Sequence, residues 1–443
     1  MADAAAADAA YPRPAYAWTV VGLLFCTAVL SYTDRQVLSL LVDPIRADLH
    51  IDDARMSLLL GTAFAVVYGV AGIPLGWLAD RTSRRNLILA GVAVWGVGTL
   101  LCGLAGSFET LFAARIVVGL GEAVLSPAAI SLISDCFPPS RRGAAVGVYF
   151  TGIAIGVGGS IFIGGGLLGL VTGGLFAATP LAAWPAWRLV LLAIGAPSLL
   201  WGLVILLIRE PVRRGDAAAG VASQQADPDT GQGGRLDLAG AVRLSPLFVA
   251  VAVASLVDNA VGAWAPSLII RRFHADPGQV GVNLGLLLMA GYGGGMLLGG
   301  FLADRAAAAR GPAGKVQLCL VAALAILPAS LLINSPSQAV AMAGVPLYFA
   351  LSAVVTASGL SAILDSTPNR VRGVAMAISF FLNVAVGAGF GPSAVTLASA
   401  GLFGGDGGLG PGIALVAALA YLAAAAALAA RLAMTRPATA RRA

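Results

Sequence analysis

The sequence predicts an all-α integral membrane protein in which twelve transmembrane helices form two pseudo-symmetric six-helix bundles. Three observations lead to this prediction. The chain is 58% hydrophobic and only 11% charged, apolar runs recur along its whole length, and local patterns of its first half return in its second half. Because a soluble domain has roughly 25% charged residues, most of this protein's outer surface must face lipid.

The apolar runs define the spans, since a helix needs about 20 apolar residues to cross the hydrocarbon core. Spans 1 to 6 are predicted near 16–43, 54–78, 86–106, 110–134, 143–167 and 188–208. Spans 7 to 12 are predicted near 244–270, 280–303, 315–333, 339–363, 372–397 and 411–432. The predicted domains are therefore a tail over 1–15, a bundle over 16–208, a linker over 209–243, a bundle over 244–432 and a tail over 433–443.

Positive charge predicts the orientation of the chain. Of the 27 arginines and lysines, 20 fall in the tails and even-numbered loops and five fall in the odd-numbered loops. Because positive loops stay in the cytoplasm, we expect both termini to be cytoplasmic and the protein to reside in a cell inner (plasma) membrane. The excess of arginine over lysine fits a bacterial source.

Composition also argues against several classes of function. The net charge of +6 lies in short loops rather than on one basic face, so a nucleic-acid partner is not expected. Two loop histidines, His50 and His274, and four cysteines without a C-x-x-C pair supply neither a zinc site nor a catalytic pair. We predict no enzyme activity, no metal and no bound cofactor. The absence of a nucleotide-binding loop argues against an ATP-driven pump.

Two local patterns occur once in each half. Gly-Trp-Leu-Ala-Asp-Arg at 76–81 ends span 2, and Gly-Phe-Leu-Ala-Asp-Arg at 300–305 ends span 8. After spans 4 and 10 the same residues recur with identical spacing, as Asp135, Pro138, Arg142, Gly143 and Ala145 and as Asp365, Pro368, Arg372, Gly373 and Ala375. Repeated halves with a central site at their interface are a common transporter design.

Charged residues inside the spans are the candidate functional residues, because each costs at least ~2.5–3.5 kcal/mol to insert. They are Asp34 and Arg35 in span 1, Arg115 and Glu122 in span 4, and Asp258 in span 7. Arg115 and Glu122 are two turns apart and share a face, whereas Asp34 and Arg35 point about 100° apart. Asp258 precedes Asp304 by 46 residues, as Asp34 precedes Asp80, a match that chance could also produce.

We predict that Glu122, and in second place Asp34, bind and release a coupling proton, since burial favours the neutral carboxyl and a nearby arginine the charged one. Arg35, Arg115 and Asp258 are the predicted substrate-binding residues, because a guanidinium fork suits a phosphate or carboxylate. One alternative is that these residues form static ion pairs between spans 1 and 4. In another, Arg115 and Asp34 lie near the outer interface and reach to water.

The loop patterns predict a cytoplasmic gate. Asp80 and Asp304 could each cap the positive N-terminus of a helix in the opposite half, and Arg84 or Arg85 could pair with Asp135. The alternative is membrane anchoring by positive charge, which explains the arginines but not the paired aspartates. The predicted gating residues are Asp80, Arg81, Arg84, Asp135, Arg142, Asp304, Arg305 and Asp365.

Residues 76–85 resemble the loop 2–3 motif of the major facilitator superfamily, although Ser83 stands where the family usually has glycine. Within that superfamily the chain resembles the Spinster-like group, through Ser-Tyr-Thr-Asp-Arg at 31–35, Arg-Ile-Val-Val-Gly-Leu-Gly-Glu-Ala at 115–123, and Leu-Ile-Ser-Asp-Cys-Phe-Pro-Pro at 132–139. The resemblance implies the major facilitator fold, a monomer in the lipid bilayer, and alternating access with spans 1, 4, 7 and 10 lining the cavity.

The same resemblance implies a secondary transporter of lysophospholipids or sphingolipids, often proton-coupled, with Asp34–Arg35 and Arg115–Glu122 as the family's functional pairs. Related organic-anion transporters share similar motifs, so a proton-coupled carrier of small organic or sugar acids is the alternative. A gradient-independent lipid scramblase is the alternative from another class. It would be indifferent to Glu122→Gln.

Overall fold

The computed structural model describes residues 11–211, 213, 238–367 and 372–435, and all regular structure in these ranges is helical. Twelve of the helices are long and apolar enough to cross a membrane, so the prediction of an all-α membrane protein with twelve spans is confirmed. Most of the predicted linker, the outer parts of both tails and Pro368 lie outside the described residues. The predicted tail, linker and bundle boundaries therefore stay predictions.

Spans 1 to 6 correspond to helices in the first half of the chain. Span 1 is Pro14–Gln36 with the 3-10 turn Val37–Ser39, and span 2 comprises Asp53–Ser57, Leu58–Thr62 and Ala63–Arg81. Span 3 is Arg84–Leu104, span 4 is Phe108–Glu122 with Leu125–Cys136, span 5 is Pro139–Thr172, and span 6 is Ala186–Ile205. Span 7 is Leu238–Phe273, span 8 is Pro277–Arg310, span 9 is Pro312–Leu332 and span 10 is Gln338–Ser366. Span 11 comprises Arg372–Leu382, Asn383–Ala388 and Gly389–Leu402, and span 12 is Leu409–Thr435.

Two prolines set helix breaks that matter for the site. Span 1 was predicted to reach residue 43 but ends at Ser39, and a separate helix, Val42–Leu49, follows. Pro44 cannot donate to the preceding turn, yet it is tolerated in the first turn of a new helix. Span 4 is interrupted directly after Glu122, at Ala123 and Val124. Pro127 removes the N–H that would bond to the carbonyl of Ala123 and crowds that oxygen.

The chain forms two compact units that do not coincide with its two halves. Unit 1 comprises Met1–Arg35, Val67–Gly156 and Arg188–Gly233, and unit 2 comprises Gln36–Val66, Val157–Trp187 and Gly234–Ala443. Unit 2 therefore combines the second half with two pieces of the first half. Both pieces belong to the ends of spans on the predicted external side.

Glycines explain how spans 5 and 8 approach each other within unit 2. A Cβ added to Gly165 would lie 2.6 Å from the Cα of Gly281, and one added to Gly281 would lie the same distance from the Cα of Gly165. Only residues without a side chain allow two helix backbones to approach this closely. This contact fixes a piece of the first half against the second half.

Candidate functional site

Arg35 and Glu122 form a buried ion pair between spans 1 and 4, within unit 1. The Nε and Nη2 atoms of Arg35 donate to Oε2 of Glu122 at 3.0 and 2.6 Å. The side chain of Glu122 is fully buried, and that of Arg35 is 15% exposed. Among the described residues, no group hydrogen-bonds to the other carboxylate oxygen, Oε1 of Glu122. The pair thus leaves one buried oxygen that can accept a proton.

Aromatic rings and a small cavity adjoin this pair. The guanidinium carbon of Arg35 lies 4.6 Å from the ring centre of Tyr32 and 5.3 Å from that of Tyr68, within cation–π range. A small cavity of about 10 Å³ is lined by Ala28, Ser31, Tyr32, Arg35, Tyr68, Glu122, Leu125, Ser126, Tyr149 and Ile153. Since a cavity needs roughly 10–15 Å³ to hold a single water molecule, this one has room for about one water beside the pair.

Arg115 lies behind the pair rather than in the cavity. Its Nη2 donates to the backbone carbonyl of Arg35 at 3.4 Å. Arg115 and Asp34 are each only 1% exposed, so the alternative in which they reach to water at the outer interface is wrong. Arg115 instead brings a second positive charge close to span 1.

Asp34 points away from Arg35, toward span 6. Ser198 Oγ donates to Oδ2 of Asp34 at 2.7 Å. No hydrogen-bond partner of Oδ1 occurs in the described ranges. The two adjacent residues therefore reach different spans, as their angular offset on the helix predicts. Ser198 went unnoticed in the sequence, because one serine in an apolar run carries no distinguishing signal.

Asp258 lies in unit 2 among hydroxyl groups. The Tyr348 hydroxyl donates to Oδ1 of Asp258 at 2.9 Å, and the Tyr421 hydroxyl donates to Oγ of Ser352 at 3.0 Å. The two tyrosine oxygens are 3.4 Å apart, and Ser352 also hydrogen-bonds to the Asp258 carboxyl. We call these four residues the hydroxyl cluster. No arginine, lysine or histidine of the described chain pairs with Asp258.

Arg84, rather than Arg85, pairs with Asp135 on the predicted cytoplasmic side of unit 1. Its Nη1 donates to Oδ2 of Asp135, and its Nε donates to Oε1 of Glu210 at 2.8 Å. Burial opposes ionisation of Glu210, but the backbone N–H of Arg85 and the side chain of Arg84 outweigh it and lower the Glu210 pKa. Glu210 was not predicted, because it lies just after span 6 among other charged residues.

A lysine forms the matching contact in the second half. Lys315 Nζ donates to Oδ2 of Asp365 at 2.5 Å and to Oγ of Ser361 at 2.7 Å. Asp365 thus pairs with the start of span 9, as Asp135 pairs with the start of span 3. Lys315 is the only lysine of the chain, and this could have identified it as a candidate.

The other predicted gating residues have local surroundings. Arg142 Nε donates to the carbonyl of Phe137 at 2.9 Å, and the guanidinium of Arg81 lies 4.0 Å from the ring centre of Trp77. Asp80, Asp304 and Arg305 are exposed. Their predicted role in a cytoplasmic gate stays a prediction.

A cluster on the predicted external side was missed in the sequence. Within unit 2, Arg271 Nε donates to Oδ1 of Asp43 at 2.7 Å, and its Nη atoms bind both oxygens of Asp53 at 2.7 and 2.8 Å. Arg46 Nε lies 3.1 Å from Oδ1 of Asp53. We call these four residues the outer clamp. It joins the loop between spans 1 and 2 to the end of span 7, across 228 residues of sequence between Asp43 and Arg271.

The chain is similar to members of a known transporter family. The family model of the Major Facilitator Superfamily matches residues 24–392. An MFS-type efflux pump of Mycolicibacterium smegmatis is 29% identical over 391 residues, which cover 87% of this chain and 85% of the pump. Protein spinster of Drosophila melanogaster is 28% identical over 334 residues, 72% of this chain and 52% of that protein. A probable galactarate/D-glucarate transporter of Bacillus subtilis is 34% identical over 149 residues, 32% of each chain.

A solved structure shares the fold. The crystal structure of a bacterial homolog to the human lysosomal transporter Spinster, in an inward-facing and unoccupied conformation, superposes with a TM-score of 0.79. It is 24% identical, and the match covers 95% of this chain and 96% of that one. This likeness shows a shared fold.

Proposed function

This chain belongs to the major facilitator superfamily, and from that premise we propose that it is a proton-coupled secondary transporter of an anionic or amphiphilic solute. It is a multi-pass membrane protein with a Spinster-like fold. The observation that carries the proposal is the buried Arg35–Glu122 pair, which adjoins a small cavity lined by polar and aromatic side chains. Alternating access would expose that cavity to each side of the membrane in turn.

Coupling would arise because Glu122 and the solute compete for Arg35. An ionised Glu122 occupies the guanidinium with two hydrogen bonds to one oxygen. A proton on Glu122 removes its negative charge and releases Arg35, whose fork then suits a phosphate or carboxylate. A buried arginine without an anion is costly, so one of the two anions accompanies it in each state. The proton and the solute would therefore move together.

The neighbouring charges support this exchange. Arg115, bonded to the backbone of Arg35, adds positive potential where an anionic group would bind. Asp34, held by Ser198, would be the second proton-carrying group of the first half. Asp258 is surrounded by hydroxyls in unit 2, and its carboxylate would repel an anion. We therefore assign substrate binding to Arg35, with Arg115 supporting it through its positive charge.

We assign gating to charge clusters on both sides. The outer clamp ties the first half to the second within unit 2 and would have to break for the external side to open. The Arg84–Asp135–Glu210 and Lys315–Asp365 contacts each fasten spans within one half. Asp80 and Asp304, exposed at the predicted cytoplasmic ends of spans 2 and 8, would cap helices of the opposite half when that side closes.

A lysophospholipid or sphingolipid is the first candidate substrate, on the strength of the Spinster-like fold and of the resemblance to protein spinster. A small organic or sugar acid is the second candidate. The likeness to a probable galactarate/D-glucarate transporter favours it.

Uptake into proteoliposomes with an imposed pH gradient tests the proposal and separates the candidates. The panel consists of a lysophospholipid, a sphingolipid and galactarate, each offered with the outside acidic, with equal pH, and with a protonophore. We expect accumulation of one class of solute only when the outside is acidic, and loss of that accumulation with the protonophore. Equal flux of the lipids under all three conditions would instead identify a scramblase.

A further inference from the structure

Asp258, in span 7 of the second half, has no part in the proposed exchange at Arg35. Asp258 contacts spans 10 and 12 through Tyr348, Ser352 and Tyr421, which are fully buried, whereas Asp258 itself is half-buried. The hydroxyl cluster links all four side chains by hydrogen bonds or close oxygen contacts. It is therefore a continuous polar network inside an otherwise apolar part of unit 2.

The titratable groups around Asp258 are all uncharged in ordinary conditions. Span 10 contributes Tyr348, span 12 contributes Tyr421, and Cys319 of span 9 lies near Tyr421. In the described parts of spans 8 and 11, no charged side chain faces the carboxyl. An ionised Asp258 would thus stand in a membrane span without a compensating cation, which is costly.

Hydroxyl partners can satisfy either form of a carboxyl, because each can donate and accept a hydrogen bond. The ionised carboxylate accepts from Tyr348 and Ser352, while Ser352 accepts from Tyr421. When the carboxyl is protonated, its O–H can donate to Ser352, whose own proton rotates away, and Tyr348 still donates to the other oxygen. An arginine, by contrast, can only donate and so stabilises the charged form alone.

From this geometry we propose that Asp258 is a proton-binding site of the second half, with Tyr348, Ser352 and Tyr421 as positioning residues that hold both forms of its carboxyl. One proton adds to Asp258 and one leaves it, and no other group of the cluster changes charge. For its consequence, an additional proton carried per cycle by the second half, this inference rests on the proposed function. The site itself does not depend on it.

Infrared difference spectroscopy tests the site directly, because a protonated carboxylic acid has a C=O stretch that a carboxylate lacks. The whole protein is reconstituted in liposomes and titrated from acid to alkaline pH in sodium-free buffer, without any solute. We expect an acid band that is lost in Asp258→Asn and retained in Glu122→Gln. If Asp258→Asn leaves every acid band of the wild-type spectrum unchanged, the proposal is overturned.

Two further measurements keep the test decisive if Asp258→Asn fails to fold. Tyr348→Phe keeps the carboxyl but removes the 2.9 Å donor to its ionised form, so we expect its acid band to shift in frequency and to persist to higher pH. An acid band identical to wild type would contradict the assignment. Loss of the band on adding sodium at constant pH would identify a cation site and overturn the proton assignment.

The experiments distinguish a failure of the proposed transport function from a failure of the proton-binding site at Asp258. If gradient-driven uptake is absent while the Asp258 band titrates, the proposed function is wrong and the site stands. If uptake is proton-driven and Asp258→Asn leaves both the spectrum and the number of protons per solute unchanged, the site is wrong and the proposed function stands.

Discussion

Each half of the molecule carries an aspartate 46 residues before the aspartate of its repeated loop pattern, Asp34 before Asp80 and Asp258 before Asp304, but the surroundings of Asp34 and Asp258 differ. In the first half, Arg35 follows Asp34 and pairs with Glu122; in the second half, Asn259 follows Asp258. Ser352 precedes Asp365 by 13 residues, as Glu122 precedes Asp135. The repeat therefore differs at both members of the ion pair together.

This difference follows from the cost of isolated buried charges. Removing one partner of a buried pair costs about 3–5 kcal/mol, whereas replacing both partners can be neutral. A half without the pair needs neither the arginine nor the glutamate, and hydroxyls then suffice for the remaining carboxyl. Under the proposed function, Arg35 of the first half binds an anionic group when Glu122 is protonated. Asp258 of the second half binds only a proton.

The largest expected effect comes from Arg35→Gln, which leaves Glu122 buried without its cation. We expect a loss of about 3–5 kcal/mol of stability and loss of transport. Replacing both residues, in Arg35→Gln with Glu122→Gln, should restore most of the stability, because neither member of the pair is left without its partner. It should restore none of the transport, because both groups of the proposed exchange are gone. Thermal unfolding in detergent and uptake measure the two effects. A double variant as unstable as the single one would contradict the pairing.

The outer clamp sharpens the comparison, because it joins pieces of both halves within unit 2. Arg271→Gln removes contacts to Asp43 and Asp53, so we expect the external side to open more often. A cysteine introduced at Ser57, whose Oγ lies 3.1 Å from that of Ser393, should then react several-fold faster with a membrane-impermeant thiol reagent. Arg272→Gln is the matched control and should leave the rate unchanged. Equal rates in both variants would argue against a clamp.

The sequence identified the spans, the repeat and the charged residues of the site, because each leaves a local signal. Hydropathy marks the spans, and a charge inside an apolar run stands out by its cost. What the sequence left open is which of the candidate polar residues pair with each other. The Arg35–Glu122 pair spans 87 residues and the Ser198–Asp34 bond 164 residues, and no local pattern encodes which helices meet.

The missed residues show the same limit. Tyr348 and Tyr421 are ordinary in apolar spans until the fold brings both to Asp258. Arg46 and Arg271 were counted only as minority positive charges on the predicted external side, although their proximity to acidic residues of the same side was a usable signal. Proline chemistry alone would not have singled out the breaks at Pro44 and Pro127, because Pro74 and Pro197 lie inside continuous helices.

A smaller effect is expected from removing one hydrogen-bond donor of Asp34 or of Asp258. Ser198→Ala removes the 2.7 Å donor to Asp34 and should cost about 1–3 kcal/mol, the range for a buried polar group left unsatisfied. Tyr348→Phe should cost a similar amount, because each carboxyl keeps a second hydroxyl partner, Thr99 at Asp34 and Ser352 at Asp258. Paired thermal unfolding of the two variants measures the difference. A larger loss in Tyr348→Phe would show that the hydroxyl cluster is the more rigid of the two.

The smallest effect concerns Glu210, whose pKa lies below its usual value. Because its folded-state pKa is lowered, its contribution to stability is present above the unfolded-state pKa and is lost as the pH falls through the folded-state value. We expect Glu210→Gln to abolish this acid-side loss, which is on the order of 1 kcal/mol or less for a partly exposed pair. Melting temperatures at neutral and acid pH test it. Parallel curves for wild type and variant would exclude the contribution.

The measurement that bears most directly on Glu122 as the coupling residue compares accumulation with exchange in proteoliposomes. Accumulation needs a proton to bind and leave in each cycle, whereas exchange of labelled for unlabelled solute does not. Glu109→Gln, an exposed position of the same span, serves as the control and should behave as wild type. We predict that Glu122→Gln keeps exchange and loses accumulation under a pH gradient. Accumulation at the wild-type rate in Glu122→Gln would contradict a proton carried by this residue.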